Sequence, residues 1–126
     1  MRRALAAAGL AAALATSGAG AAHALQAHSA STAVGVGERE WRVYPYRTKV
    51  KPGTVRFNIN NLGEDVHNLQ VRGPHGYRSK VTPDIRSGDT YTLVAHLRRS
   101  GRYTLICTKP GHAKKGMKAG FTVGRG

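Results

Sequence analysis

The sequence predicts an all-β protein, a Greek-key β-sandwich of about seven strands. Three observations carry that expectation. Beyond residue 24 no stretch keeps a helical period; apolar and polar residues alternate instead, the repeat of a strand with one buried face. Turn-forming residues interrupt the alternation roughly every 8–15 residues, the rhythm of a sandwich or barrel. Residues 25–126 number 102, enough for one small domain, and no linker or internal repeat divides them.

The elements follow in order. Val34 and Val36, then Trp41 and Val43, mark the first strands, and residues 25–31 read as a loose leader to them. After Pro52-Gly53, Val55, Phe57 and Ile59 alternate with Arg56, Asn58 and Asn60. Asn61-Leu62-Gly63 turns the chain into a strand in which His67, Leu69 and Val71 share one face. Residues 73–88 are the least regular segment, rich in Gly and Pro, with room for a turn of helix or an irregular strand. Ser87-Gly88-Asp89 precedes a strand whose Tyr91, Leu93, Ala95 and Leu97 point one way. Ser100-Gly101-Arg102 precedes another, with Tyr103, Leu105 and Cys107 inward, and Phe121 and Val123 close the chain. Trp41 and the five tyrosines read as core and strand-surface packing.

The start of the chain belongs to export. Met1-Arg2-Arg3 is basic, residues 4–15 are almost all Ala and Leu, and Ala22-His23-Ala24 fits a small-x-small cleavage site. Residues 1–24 therefore read as a secretory signal peptide, which makes the protein secreted or periplasmic and leaves residues 25–126 as the domain. The apolar run is too short to span a bilayer, which takes about 20 residues, so no membrane span is expected after cleavage. The chain holds 20 Lys+Arg against 6 Asp+Glu; without Arg2 and Arg3 the balance is 18 to 6, or +12. Such a charge attracts acidic partners and anionic surfaces without specifying a fold. No nucleic-acid motif accompanies it, so no specific nucleic acid is expected.

Cys107 is the only cysteine, and an exported chain with one cysteine makes no internal disulfide. It opens the run Cys-Thr-Lys-Pro-Gly-His-Ala-Lys-Lys-Gly-Met, in which Cys107, His112 and Met117 recur at five-residue intervals, and His67 stands forty residues upstream. One thiolate, two imidazoles and a thioether are the donor set of a mononuclear copper electron-transfer site with a His₂Cys plane and a weak axial Met. The facing agrees: Cys107 ends an inward-facing strand, His67 shares the face of Leu69 and Val71, and Gly111 and Gly116 allow the loop its tight turns. Structural zinc would use more thiolates, and catalytic zinc would not choose Met. A dinuclear copper centre needs a second cysteine in the loop, where position 111 is Gly. Nucleophilic catalysis by Cys107 with either histidine lacks further catalytic residues, so the chain is not expected to be an enzyme. His96 reads as a solvent-facing strand residue and His75 as part of a turn.

The residues Asn61-Leu62-Gly63, His67-Asn68, the run Tyr103 to His112, and Gly116-Met117 give the sequence a resemblance to the cupredoxins, the small blue copper proteins, over essentially the whole of residues 25–126. The Cys-x₄-His-x₄-Met spacing is similar to that of rusticyanin and auracyanin; plastocyanin has a shorter Cys-to-His loop and azurin a shorter His-to-Met step. The resemblance implies one copper per chain, cycling between Cu(I) and Cu(II) on His67, Cys107, His112 and Met117. It also implies that Asn68 ties the two ligand loops together by hydrogen bonds, and that His112 reaches the surface as the electron port. The expected protein is a monomeric extracytoplasmic electron carrier. Its redox partners are expected to present acidic docking patches to Lys109, Lys114, Lys115 and Lys118. The alternative is a copper carrier or copper-resistance protein using the same ligands.

Overall fold

The computed structural model describes residues 30–125; the predicted signal peptide lies outside these residues. Eight strands form two four-stranded sheets. They are β1 (Thr32–Arg39), β2 (Arg42–Pro45), β3 (Lys49–Val50), β4 (Gly53–Asn61), β5 (Gln70–Arg72), β6 (Thr90–Leu97), β7 (Gly101–Ile106) and β8 (Lys118–Val123). One sheet has the order β2-β1-β4-β6 and the other β3-β8-β7-β5. The pairs β1–β4 and β3–β8 are parallel and the rest antiparallel, because the chain passes repeatedly from one sheet to the other. This is a two-sheet β-sandwich, the architecture that the resemblance to the cupredoxins implies. The expected count of about seven strands becomes eight because β3 is a two-residue edge strand, too short to show alternation.

The alternation in the sequence is the burial pattern of the strands. In β4, Val55, Phe57 and Ile59 are buried while Arg56, Asn58 and Asn60 face water. They meet Leu69, Leu105, Phe121 and Val123 from the facing sheet, with Phe57 and Phe121 in edge-to-face contact at 5.5 Å. Each fully buried side chain of this size contributes about 1.5–3 kcal/mol by leaving water. The irregular segment is a 3₁₀ turn at Pro74–Gly76 and extended chain thereafter, pinned where Leu69, Val71 and His67 exchange hydrogen bonds with residues 79–85.

Two sequence readings change, and one buried residue is new. Trp41 belongs to no strand: it sits in the two-residue turn between β1 and β2 with φ 59°. Tyr91, assigned the face of Leu93, is exposed near the start of the edge strand β6, although it pairs with the buried Ile59. Glu38, unremarked in the sequence, is wholly buried.

The register fixes what each end of the sandwich carries. At one end lie the β1–β2 turn, the β4–β5 connection (62–69), the segment before β6 and the β7–β8 loop (107–117). At the other, Gly53 pairs with Leu97 and Gly101 with Val123, gathering the β3–β4 and β6–β7 turns.

Candidate metal centre

The β7–β8 loop is long yet closed on itself. Cys107 follows β7, and its backbone N–H donates to the Met117 carbonyl at 3.0 Å. The Met117 N–H donates to the His112 carbonyl at 3.1 Å, so three of the expected ligand positions are joined by the loop's own backbone. Gly111 and Gly116 take φ of +80° and +120°, as tight turns there require. At Gly116 a second constraint applies: a Cβ would stand 2.9 Å from the Trp41 carbonyl oxygen.

His67 arrives from the β4–β5 connection. It is not in a strand but in an isolated bridge with Ile85, exchanging both backbone hydrogen bonds with it. Its ring is wholly buried, as the face it shares with Leu69 predicts. Asn68 behaves as the resemblance implied: its Oδ1 accepts from the Thr108 N–H at 2.7 Å and from the Thr108 hydroxyl at 3.0 Å, tying the two loops together. Asn61 ties its loop to the segment before β6, donating to the Asp65 and Ile85 carbonyls and accepting from the Gly63 N–H.

These loops bring three donor atoms to one point. His67 Nδ1 and His112 Nδ1 are 3.2 Å apart, and Cys107 Sγ is 3.6 Å from His112 Nδ1. The donors of His67, Cys107 and His112 all lie within 4.8 Å of one another, and they form such a group among the described residues. Donors held about 2.0–2.3 Å from one ion in a trigonal plane stand about 3.5–4 Å apart, so the arrangement fits a metal of that coordination. Met117 is wholly buried at the end of the same loop. Cys107 and His67 are also closed to water, whereas His112 is partly exposed.

The protonation of the site suits cation binding. Burial pushes the Cys107 thiol up, while the Asn68 and Lys109 backbone N–H groups act against that rise. A bound cation deprotonates a coordinating thiol in any case. Burial, then the neighbouring His67, pushes the His112 imidazole down, toward the neutral form that coordinates.

Two residues of the site went unread in the sequence. Glu40, in the β1–β2 turn, places Oε1 3.2 Å from His67 Nε2. The same oxygen accepts the Glu64 and Asp65 N–H groups, each at 2.8 Å. Those donors, Asp65 first, hold the Glu40 carboxyl at about 2, so it is a carboxylate in the ordinary pH range. His67 Nε2–H therefore donates to it, which leaves the Nδ1 lone pair aimed at the shared point. Gly63 makes room, since a Cβ there would collide with the Glu40 carboxylate. Trp41, the next residue, sets its indole edge-to-face on the His112 ring at 5.1 Å. Lys115 Nζ lies 3.9 Å from the centre of the same indole. The only signal available for either residue was a two-residue hairpin turn between alternating strands, and hairpin turns normally carry Gly or Asn rather than Glu-Trp.

The loop lysines are not a uniform ring. Lys109 is paired with Asp84 at 2.9 Å, Lys115 stacks on Trp41, and Lys114 and Lys118 face water.

No protein-family profile matches the chain, and no curated protein is similar to it in sequence. Solved structures are similar in shape. A dithionite-reduced auracyanin from Roseiflexus castenholzii superposes with a TM-score of 0.62 at 20% identity, covering 76% of this chain and 99% of that one. Auracyanin A, a "blue" copper protein from Chloroflexus aurantiacus, gives 0.59 at 18% identity, covering 75% and 100%. A multicopper oxidase gives 0.53 at 17% identity, with 74% of this chain matched to 41% of that one. At these identities the likeness establishes the fold.

Proposed function

We propose that the protein is an extracytoplasmic mononuclear type 1 copper protein that passes single electrons between redox partners and is not an enzyme. The observation that carries this reading is the convergence of His67 Nδ1, Cys107 Sγ and His112 Nδ1 within 4.8 Å, His112 alone of the three being open to water. Met117, buried on the same loop, would add a weak thioether donor. Bound copper would supply a one-electron Cu(II)/Cu(I) couple; the thiolate and thioether suit Cu(I), and the imidazoles suit both states. The chain's part is to hold the donors still. The Cys107–Met117 backbone bond, the Asn68 bridge and the Glu40 acceptor each fix one ligand loop, which keeps rearrangement on electron transfer small. Burial of Cys107 and His67 keeps substrates from the metal and leaves the His112 edge as the place of approach, which favours electron transfer over catalysis.

Cu(II) added to the exported protein binds one ion per chain and produces an intense visible thiolate-to-copper band. Binding without that band overturns the reading. A reversible one-electron wave with copper retained in both states separates an electron carrier from a copper carrier. Met117→Leu keeps the colour and raises the reduction potential; an unmoved potential removes Met117 from the ligand set. The partners are redox proteins with acidic patches that approach Lys114 and Lys115, and the protein acts as a monomer. Electron transfer to an acidic partner then slows as salt rises, and reversing both lysines to Glu slows it further.

A further inference from the structure

Charge on this molecule is sorted between its ends. All six acidic residues lie in the half that holds the metal centre. Glu38 pairs in register with Asn61 at the end of β4, and Glu40 is in the β1–β2 turn. Glu64 and Asp65 precede His67, Asp84 precedes its bridge partner Ile85, and the Asp89 carbonyl accepts the Asn61 N–H. The opposite end carries no acidic residue. There the chain between β2 and β4 presents Arg47, Lys49 and Lys51, the β6–β7 turn presents Arg98 and Arg99, and Arg125 follows β8. All six of these cations are exposed. The ion pairs found among the described residues, His67–Glu40 and Lys109–Asp84, are at the metal end.

Cations grouped without counter-charge repel one another, and nothing in the packing of the sandwich requires them there. All but Arg125 border two separate clefts. One, of about 420 Å³, is lined by Arg47, Lys49 and Lys51 with Thr32. The other, of about 370 Å³, is lined by Arg98, Arg99, His75 and His96.

We propose that this end is a docking face for an anionic phospholipid surface, holding the protein with its metal centre turned away from the membrane. The cations stand on separate turns of both sheets, at the tips of the sandwich. Five of the six line two separate clefts and not one continuous groove. A linear polyanion needs a track along which to lie; a plane of headgroups needs several projecting cations and pockets the size of single headgroups. Attraction of basic residues to such a surface adds up residue by residue and fades within a Debye length, which suits a cluster confined to one end. The face involves no metal ligand, so the proposal does not rest on the copper reading, and apo and copper-loaded protein bind alike.

The test is cosedimentation of the protein, as isolated after export, with phosphatidylcholine vesicles and with vesicles of about one-third phosphatidylglycerol. Binding is expected to the second kind only. Arg98→Glu with Arg99→Glu weakens it by about thirtyfold, while Lys114→Glu with Lys115→Glu, the same change of net charge at the other end, weakens it by about threefold at most. Arg47→Glu with Lys51→Glu repeats the first arm should the turn variant lose its fold by circular dichroism. On vesicles, amide exchange slows over residues 46–52 and 97–101 and not over 108–116. Equal weakening by both pairs, protection of the 108–116 loop, or no vesicle binding overturns the proposal. Tighter binding to duplex DNA or polyphosphate than to vesicles overturns it in favour of a soluble polyanion.

Discussion

At the metal end of the sandwich the loops are long, and three of their polar side chains make several hydrogen bonds each. Asn61 makes three hydrogen bonds, Asn68 accepts two, and one oxygen of Glu40 accepts two backbone N–H groups besides the His67 ring. At the opposite end the connections are short, and their six cations have no ionic partner among the described residues. The contrast shows where order comes from in each. The far turns are fixed by the strands they join and leave their side chains free to meet a ligand. The metal-end loops are too long for the strands to dictate, so buried hydrogen bonds fix them instead, each contributing about 0.5–1.5 kcal/mol and more if one partner is removed. One group at the ordered end breaks the pattern: both carboxylate oxygens of Glu38 are buried without a hydrogen-bond partner.

The largest effect expected at the metal end is that of Cys107→Ser. The visible band disappears entirely, and a hydroxyl in a wholly buried position lowers apo stability by about 1–3 kcal/mol; an absorption spectrum and a denaturant melt read the two effects separately.

Glu38 sharpens the comparison next. Burial raises its carboxyl from 4.5 to about 8, so the folded protein keeps a proton that the unfolded chain gives up. Between those pH values the folded state binds one proton more, and stability falls as pH rises, by about 1.4 kcal/mol per pH unit. Denaturant unfolding of the apo protein across pH 5–8 should show that slope, and Glu38→Leu should remove it. At pH 8 that variant gains on the order of a few kcal/mol. A wild-type protein equally stable at both ends of the range would mean that Glu38 is ionised or solvated.

Glu40→Gln tests whether the carboxylate acts on the metal or merely folds the turn. A neutral acceptor makes His67 a poorer donor, which weakens Cu(II) more than Cu(I). A tenfold differential corresponds to about 59 mV upward in reduction potential. Voltammetry showing no shift, with the turn intact, would leave Glu40 a structural residue only. The smallest effect belongs to Lys115→Ala, which removes the cation from the Trp41 face and lowers stability by about 0.5–1 kcal/mol, read from the thermal midpoint.

The strands were legible in the sequence because one face of each is buried, and a two-residue repeat follows from the pleat. The β4 and β7 readings needed nothing more than that. The approach of Cys107 to His112 was legible because they share one loop, where spacing along the chain approximates spacing in space. His67 was legible through its face, although its place in an isolated bridge was not. Glu40 and Trp41 were invisible as site residues for the converse reason. They are 27 residues from His67 and 71 from His112, and a turn's sequence does not tell which loops of the other sheet it will meet.

By itself, then, the sequence determined the sandwich, the candidate donors His67, Cys107 and His112 that the fold brings together and the excess of positive charge, all of which follow from local periodicity, side-chain chemistry and counting. Only the tertiary structure decided that Glu40 would receive the His67 N–H, that Glu38 would be buried without a partner, and that the acids would gather at one end and leave the cations of the other without counter-charge. Those outcomes depend on strand register and on which loops share an end of the sandwich. Register is a relation between segments far apart in the chain, set by the packing of whole faces, and no local stretch of residues encodes it.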